Sequence, residues 1–400
     1  MVGNGLDRSA HKQVFLKRKR HTMKIYNASV YRDGKFEKGG FEFNEKFEGF
    51  FGEGCSFFND PAAIDARGAY VIPGLIDIHT HGALGMDVTA GEPGCLDKLS
   101  RYYAAKGVTS WCPTTLTAKE ETLKTALNEI RDFKSSTGCA KIAGVNLEGP
   151  FLSEGRSGAM NVSELCKPDI DMFRRLNEAS GGKVRLITVA PDVPGALEFI
   201  KEAKNEVTVS IGHTTASYED CLRAIDAGAS HMTHLYNCME GIHHRKPGAV
   251  PAALEGGVTV ELITDGFHIH PAVIRLTHTL FGEKLCLISD SIRCAGLSDG
   301  EYDMAGMAFT VTDGKATLKG RDTIAGSSIH LMDGLKRAVS FGIPLEKAVY
   351  AATEVPALVI GAGNETGSIS TGKSADFVIL DKELNVVSVY INGKKYVEEP

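Results

Sequence analysis

The stretch Pro73–Gly82, PGLIDIHTHG, decides the architecture: an apolar run ends in His79 and His81, one residue apart. If Leu75 to His79 is a strand, alternate side chains share a face, so imidazoles two positions apart can reach one metal ion. A pair of surface histidines on a loop would read the same way. The meaning of HxH therefore depends on whether further ligands arrive at strand ends downstream.

From Pro73 to about Gly363 the chain alternates β-branched or apolar segments with helix-sized ones. Candidate strands are Leu75–His79, Val108–Thr114, Ile142–Glu148, Val184–Ala190, Val207–Gly212, Ala229–His234, Val258–Thr264 and Lys284–Asp290. Helical segments such as Leu96–Lys106, Lys119–Lys134, Ile170–Ala179, Ala196–Lys204 and Tyr218–Ala227 lie between them. Eight strands alternating with helices predict an α/β fold, a (β/α)8 TIM-like barrel whose active site lies at the C-terminal strand ends.

Ligand-type residues fall at those ends. His79 and His81 close strand one, Glu148 closes strand three, His213 follows strand five, His234 closes strand six and Asp290 closes strand eight. Singly, each has a bland reading: a lone His is usually a surface or core residue, and Glu148 could cap the next helix. Six on one rim exceed what packing requires. Imidazole and carboxylate suit Zn2+ and Fe2+, and a catalytic site keeps a position open for water. Glu148 can bridge two ions, with His79, His81 and Asp290 on one and His213 and His234 on the other. One ion is enough to bring the pKa of a water to about 7. Asp290 is then the candidate general base that passes a proton to a leaving group.

Composition sets limits on the rest. The 400 residues are 43% hydrophobic and 24% charged, an ordinary globular balance with room for one large domain and a small one. A net charge of -6 gives no basic field, so nucleic acid is not an expected partner. No apolar run approaches the roughly 18 residues of a membrane helix. The 9 cysteines form no CxxC pair and read as reduced thiols of a cytoplasmic protein. Residues 1–22, with Lys17, Arg18, Lys19 and Arg20 consecutive, read as a basic, disordered extension, since no apolar signal core follows. Residues 23–72 and 364–400 read as short strands with turns at Asp33-Gly34 and Asn392-Gly393. The two chain ends are expected to build one small β-sandwich domain beside the barrel of residues 73–363.

HTHG, LEGPF, GHT, THLYN, HHRKPG, TDGFHIHP and SDS, in this order from Pro73 to Ser291, carry a resemblance. The chain resembles the amidohydrolase superfamily and, within it, the N-acetylglucosamine-6-phosphate deacetylases, over nearly everything after Met23. HxH alone marks only the superfamily, whereas LEGPF with THLYN and HHRxPG is much more selective. The resemblance implies hydrolysis of the acetamide of N-acetyl-D-glucosamine 6-phosphate to D-glucosamine 6-phosphate and acetate. It implies Glu148, His213 and His234 as principal metal ligands, Asp290 as catalytic acid and base, and one or two divalent ions, with Zn2+ favoured over Fe2+. His79 and His81 leave room for the second. Asn237 and Cys238 match positions that contact the sugar, and Ile324, Ala325 and Gly326 match a late substrate loop. Arg245 and His268 match phosphate readers that can come from the neighbouring subunit of a homodimer. Guanidinium suits that task, because its paired donors match phosphate oxygens.

One departure concerns Gly158-Ala159-Met160, which stands where the family usually has GAH. Ala159 and Met160 are taken as substrate contacts, but Met160 cannot donate a hydrogen bond to an amide carbonyl. Ser291 and Cys238 stand where Ala is commoner. Deacetylation of the galactosamine epimer is the nearest alternative reading. Cyclic amidases of the superfamily bridge their metals with a carboxylated Lys at the end of strand four, and VRLITVAPD offers none after Lys183. A non-catalytic assembly protein would have lost ligands, and all six are present.

Overall fold

The computed structural model describes residues 22–57, 59–304 and 306–397. The reading of residues 1–22 as a basic extension thus falls on residues outside those described, apart from Thr22.

Eight parallel strands form the barrel: Leu75–Thr80, Val108–Thr115, Val145–Glu148, Val184–Val189, Thr208–Ile211, His231–Met232, Thr259–Ile263 and Leu285–Ile288. Most are buried along their whole length, as parallel strands covered by helices must be. Strand one pairs with strand two, and its end meets the segment after strand eight in a parallel bridge between Thr80 and Ser291. The His81 amide donates to the Ser291 carbonyl at 2.8 Å, and the Asp290 amide donates to the His79 carbonyl at 2.9 Å. The Thr80 hydroxyl lies 2.7 Å from both Ser291 Oγ and Tyr103 Oη. The seam that closes the barrel is therefore built from neighbours of the candidate ligands.

Two strands differ from expectation for local reasons, and one unit is additional. Strand three is broken into Lys141–Ile142 and Val145–Glu148. A Cβ on Gly144 would sit 2.3 Å from Arg185 Cγ, so only glycine lets the chain pass there. Strand six shrinks to His231–Met232, because the Ala229 amide is used by the preceding helix through the Ala224 carbonyl and His234 leaves the extended region at φ 28°. After strand eight comes an antiparallel unit that was not expected: Gly300–Met304, Met307–Thr312 and Lys315–Leu318. Its Phe309, Val311 and Leu318 pack with Leu116, Met160 and Ile292 in a separate apolar cluster over the barrel mouth.

The chain ends form one connected sheet containing Met23–Arg32, Lys35–Phe43, Phe47–Gly52, Tyr70–Pro73, Phe377–Leu380 and Val386–Ile391. Strands Phe377–Leu380 and Lys35–Phe43 are three places apart in strand order, about 14 Å across a flat sheet. Yet the Phe43 and Phe377 rings are 5.0 Å apart and those of Phe41 and Phe377 5.2 Å. The sheet has folded over on itself as a sandwich around Phe41, Phe43, Phe47, Phe377 and Tyr390.

Candidate metal centre and active-site cleft

The strand ends deliver all six candidate ligands to one place. Glu148 lies at its middle, buried at the end of strand three. Its Oε1 is 2.8 Å from His234 Nε2, 3.0 Å from His213 Nε2 and 3.5 Å from His79 Nε2. Its Oε2 is 3.1 Å from His81 Nε2. Asp290 Oδ1 sits 3.6 Å from His79 Nε2 and 3.4 Å from His81 Nε2. Two groups of metal-ligating atoms result, one of His79, His81 and Glu148 and the other of Glu148, His213 and His234, sharing the one carboxylate.

Three of the residues are aimed by an uncommon backbone. His213, His234 and Asp290 have φ of 47°, 28° and 49°, in the left-handed region that non-glycine residues rarely enter. Such conformations cost on the order of 1–3 kcal/mol each and cluster at functional sites. Each occurs just past a barrel strand, where the chain must turn its side chain back over the mouth. The loop carrying Met160 presses down on them: a Cβ on Gly158 would meet Cys238 Sγ at 2.5 Å and His213 Cε1 at 3.5 Å.

The donor set fits a divalent ion. His213 Nδ1 is 2.9 Å from the Arg156 carbonyl, which can only accept, so Nδ1 carries a proton and Nε2 is the ring atom left to bind an ion. That atom lies 3.0 Å from His234 Nε2 and 3.0 Å from Glu148 Oε1, a cluster of ligating atoms close enough together to hold one cation. His79 is fixed the same way: its Nδ1 is 2.8 Å from Glu261 Oε2, and its buried Nε2 has no hydrogen-bond partner. Electrostatics agree. Burial opposes charge on His79, yet Glu261, Glu148 and Asp290 outweigh it and hold the ring well above the ordinary histidine range. Burial likewise opposes charge on His81, and the carboxylates of Asp290 and Glu148 push it up to about 9. Metal and protons compete for the same imidazole and carboxylate atoms, so a field that favours positive charge there favours a cation too. Asp290 is also buried, but the imidazoles of His79 and His81 hold its carboxyl below the usual range, ionised at neutral pH.

A cleft of about 270 Å³ opens over this centre. His81, Glu148, His213, His234 and Asp290 form its floor, and Ala159, Met160, Asn237, Cys238, His268, Ile324 and Gly326 line it. Ala325 does not: its side chain is fully buried in the apolar cluster over the mouth. Met160 offers no donor. Its Sδ accepts from the Thr117 amide at 3.4 Å, and with Leu116, Ile292 and Met304 it makes one wall of the cleft apolar. Arg245 is not in this cleft. It is exposed on a separate groove of the same chain, shared with Tyr218, Glu240, His243 and Lys246. His268 lines the cleft of its own chain.

Two carboxylates escaped the sequence reading. Asp265 accepts from His268 Nδ1 at 2.7 Å and from the amides of Phe267 and His268, which turns the His268 ring toward the cleft. Glu261, fully buried in strand seven, accepts from His79 and from the His234 amide. The signal for Glu261 was available: a glutamate in the middle of VTVELIT, where neighbours on both sides are apolar.

Residues 70–396 match the amidohydrolase family. An N-acetylglucosamine-6-phosphate deacetylase of Bacillus subtilis is 36% identical over 331 residues, covering 81% of this chain and 83% of that protein. An N-acetylgalactosamine-6-phosphate deacetylase of Escherichia coli is 35% identical over 341 residues, covering 84% and 90%. Among solved structures, an N-acetyl-D-glucosamine-6-phosphate deacetylase of Mycobacterium smegmatis superposes with a TM-score of 0.87 at 32% identity, covering 94% of this chain and 99% of that one. That structure is an aspartate-to-alanine variant in complex with N-acetyl-D-glucosamine-6-phosphate. With its barrel, its ligand-bearing strand ends and these matches over most of its length, the chain belongs to the amidohydrolase family.

Proposed function

We propose that this chain is a metal-dependent deacetylase that hydrolyses N-acetyl-D-glucosamine 6-phosphate to D-glucosamine 6-phosphate and acetate in amino-sugar catabolism. The observation that carries the reading is the Glu148 carboxylate at the meeting point of four imidazole Nε2 atoms, with ionised Asp290 beside it on the floor of the cleft. Curated relatives that share most of this chain's length bear the name of that activity.

The ligands are Glu148, His213 and His234 for one ion and His79, His81 and Glu148 for a second, with Zn2+ the best match to imidazole and carboxylate and Fe2+ the next. When bound, such an ion supplies Lewis acidity for the amide oxygen and lowers the pKa of a water to about 7. Asp290 accepts a proton from the attacking water at its carboxylate and returns one to the departing amine nitrogen. Asn237 and His268 offer polar contacts for the hexose and its phosphate, and Asp265 fixes the His268 ring. Leu116, Met160 and Ile292 form the apolar side against which the acyl methyl fits.

The test is a deacetylation panel of the 6-phosphates of N-acetylglucosamine and N-acetylgalactosamine and of unphosphorylated N-acetylglucosamine, with metal analysis of the same preparation. Acetate should appear fastest from the first and hardly at all from the unphosphorylated sugar. Equal turnover of the phosphorylated and free sugars would refute the phosphate reading, and a faster galactosamine epimer would reassign the substrate.

The same reading includes a cytoplasmic homodimer. The 9 cysteines are free thiols, which suits a reducing compartment. Among the described residues no helix is long and apolar enough to cross a membrane. Arg245 stands exposed outside its own cleft, where it can serve a neighbouring subunit's phosphate. Replacing Arg245 with Ala should raise KM for the phosphorylated substrate about 10–100-fold with a much smaller change in kcat, in line with losing one charge-assisted contact of about 1.5–3 kcal/mol. A fully active monomer by mass photometry would sink the shared-site arrangement.

A further inference from the structure

We infer that Glu261 is a positioning residue that holds one ligand of each metal group, the His79 ring directly and His234 through its backbone amide. The inference rests on the metal reading above and goes beyond it in assigning a role to a residue outside both ligand groups.

Glu261 lies in strand seven, Thr259–Ile263, with no solvent exposure. A buried carboxylate costs several kcal/mol unless its oxygens find partners. Its Oε2 has two. One is His79 Nδ1 at 2.8 Å, which leaves the lone pair of that ring on Nε2, the atom facing Glu148. The other is the backbone amide of His234 at 3.0 Å. The Glu261 carbonyl also accepts from the Leu235 amide at 2.9 Å, so this one residue pins both amides around the left-handed turn that aims His234.

Its Oε1 faces His231 Nε2 at 3.2 Å but off hydrogen-bonding geometry, and both atoms are otherwise unpartnered. The strong contacts of the carboxylate thus go to His79 of one ligand group and His234 of the other. Oε2 accepts from the His234 amide N–H and faces the His79 ring nitrogen, so the carboxylate serves both as an acceptor. A carboxylate behind a metal-binding histidine fixes its tautomer and ring orientation and raises its basicity, and removing such a partner typically costs 10–100-fold in metal affinity.

The two contacts differ in kind. The His79 contact is to the ligating ring itself, whereas the His234 contact is to backbone that strands five to seven also restrain. Loss of Glu261 should therefore weaken the His79/His81 position more than the His213/His234 position.

The experiment is a competitive zinc titration against a chromophoric chelator. It uses full-length apo protein as wild type, Glu261→Gln, His79→Ala and the double variant, with thermal melts in excess chelator alongside. Glu261→Gln should keep its metal-free melting temperature within a few degrees and bind its weaker zinc about 10–100-fold less tightly. In the His79→Ala background the same substitution should add little to that loss.

Two zinc ions bound by Glu261→Gln within twofold of wild-type affinity would overturn the inference, as would full additivity with His79→Ala. Should Glu261→Gln fail to fold, Glu261→Asp, which keeps the charge but draws the oxygens back from His79, carries the same comparison. A wild-type protein that binds no zinc would instead overturn the metal reading on which the inference rests, so the two failures are distinguishable.

Discussion

Replacing Asp290 with Asn is expected to lower kcat about 10³–10⁴-fold while the protein keeps its metal. The side chain is nearly isosteric, and an amide oxygen remains where Oδ1 now stands 3.4 Å from His81 Nε2 and 3.6 Å from His79 Nε2. Neither metal-ligating group depends on it. What is lost is a proton acceptor: the carboxyl is held ionised by His79 and His81, and an amide cannot take up a proton at neutral pH. Positioned acid and base groups are worth about 10²–10⁴ in rate, and here one group serves both water and leaving amine, which places the loss at the upper end. Single-turnover acetate release with metal analysis is the measurement. Near-full activity would mean that another group moves the proton. Loss of metal together with activity would mean that Asp290 is chiefly a ligand.

How much of this was legible in the sequence depends on the kind of information each feature carries. The barrel and its rim follow from local patterns: apolar runs of strand length, each ending in His, Glu or Asp, leave little freedom once the strands are parallel and the active side is their C-terminal end. His79, His81, Glu148, His213, His234 and Asp290 stand out for that reason, and the structure brings their side chains together. Features that depend on which chain segments meet do not stand out. That Arg245 can stand outside the cleft of its own chain came from the resemblance and not from any local pattern, and nothing local to Ala325 says that it turns into an apolar cluster beside Ile324 and Gly326, which line the cleft. The left-handed φ of His213, His234 and Asp290 is imposed by the barrel mouth, since isolated residues of these types prefer other regions. The antiparallel unit at Gly300–Leu318 is a different case. Alternating residues around Asp313-Gly314 spell a hairpin, a local signal that the alternation of eight strands with helices does not include.

Glu148→Gln should have the widest consequence of any single substitution, because Glu148 is the one carboxylate common to both ligand groups. One oxygen faces His213 and His234 and the other faces His81, so the neutral amide weakens both positions at once. It also presents an NH2 toward nitrogen lone pairs that would otherwise bind an ion. Activity should fall at least 10⁴-fold, and purified protein should carry well under one ion per chain. Stability gives an independent readout. A ligand that binds only the folded state adds RT ln(1 + [L]/Kd), about 2.7 kcal/mol at 100 times Kd, which is a rise of several degrees in Tm. Zinc should therefore raise the wild-type Tm by several degrees and leave that of Glu148→Gln nearly unmoved. In chelator Glu148→Gln should melt below the wild type, since His79, His213 and His234 outweigh burial and hold the Glu148 carboxyl well below the ordinary range, and Gln leaves those imidazoles without their shared acceptor. A Glu148→Gln protein that still binds two ions, or whose Tm still climbs with zinc as the wild type does, would remove Glu148 from the centre of the site.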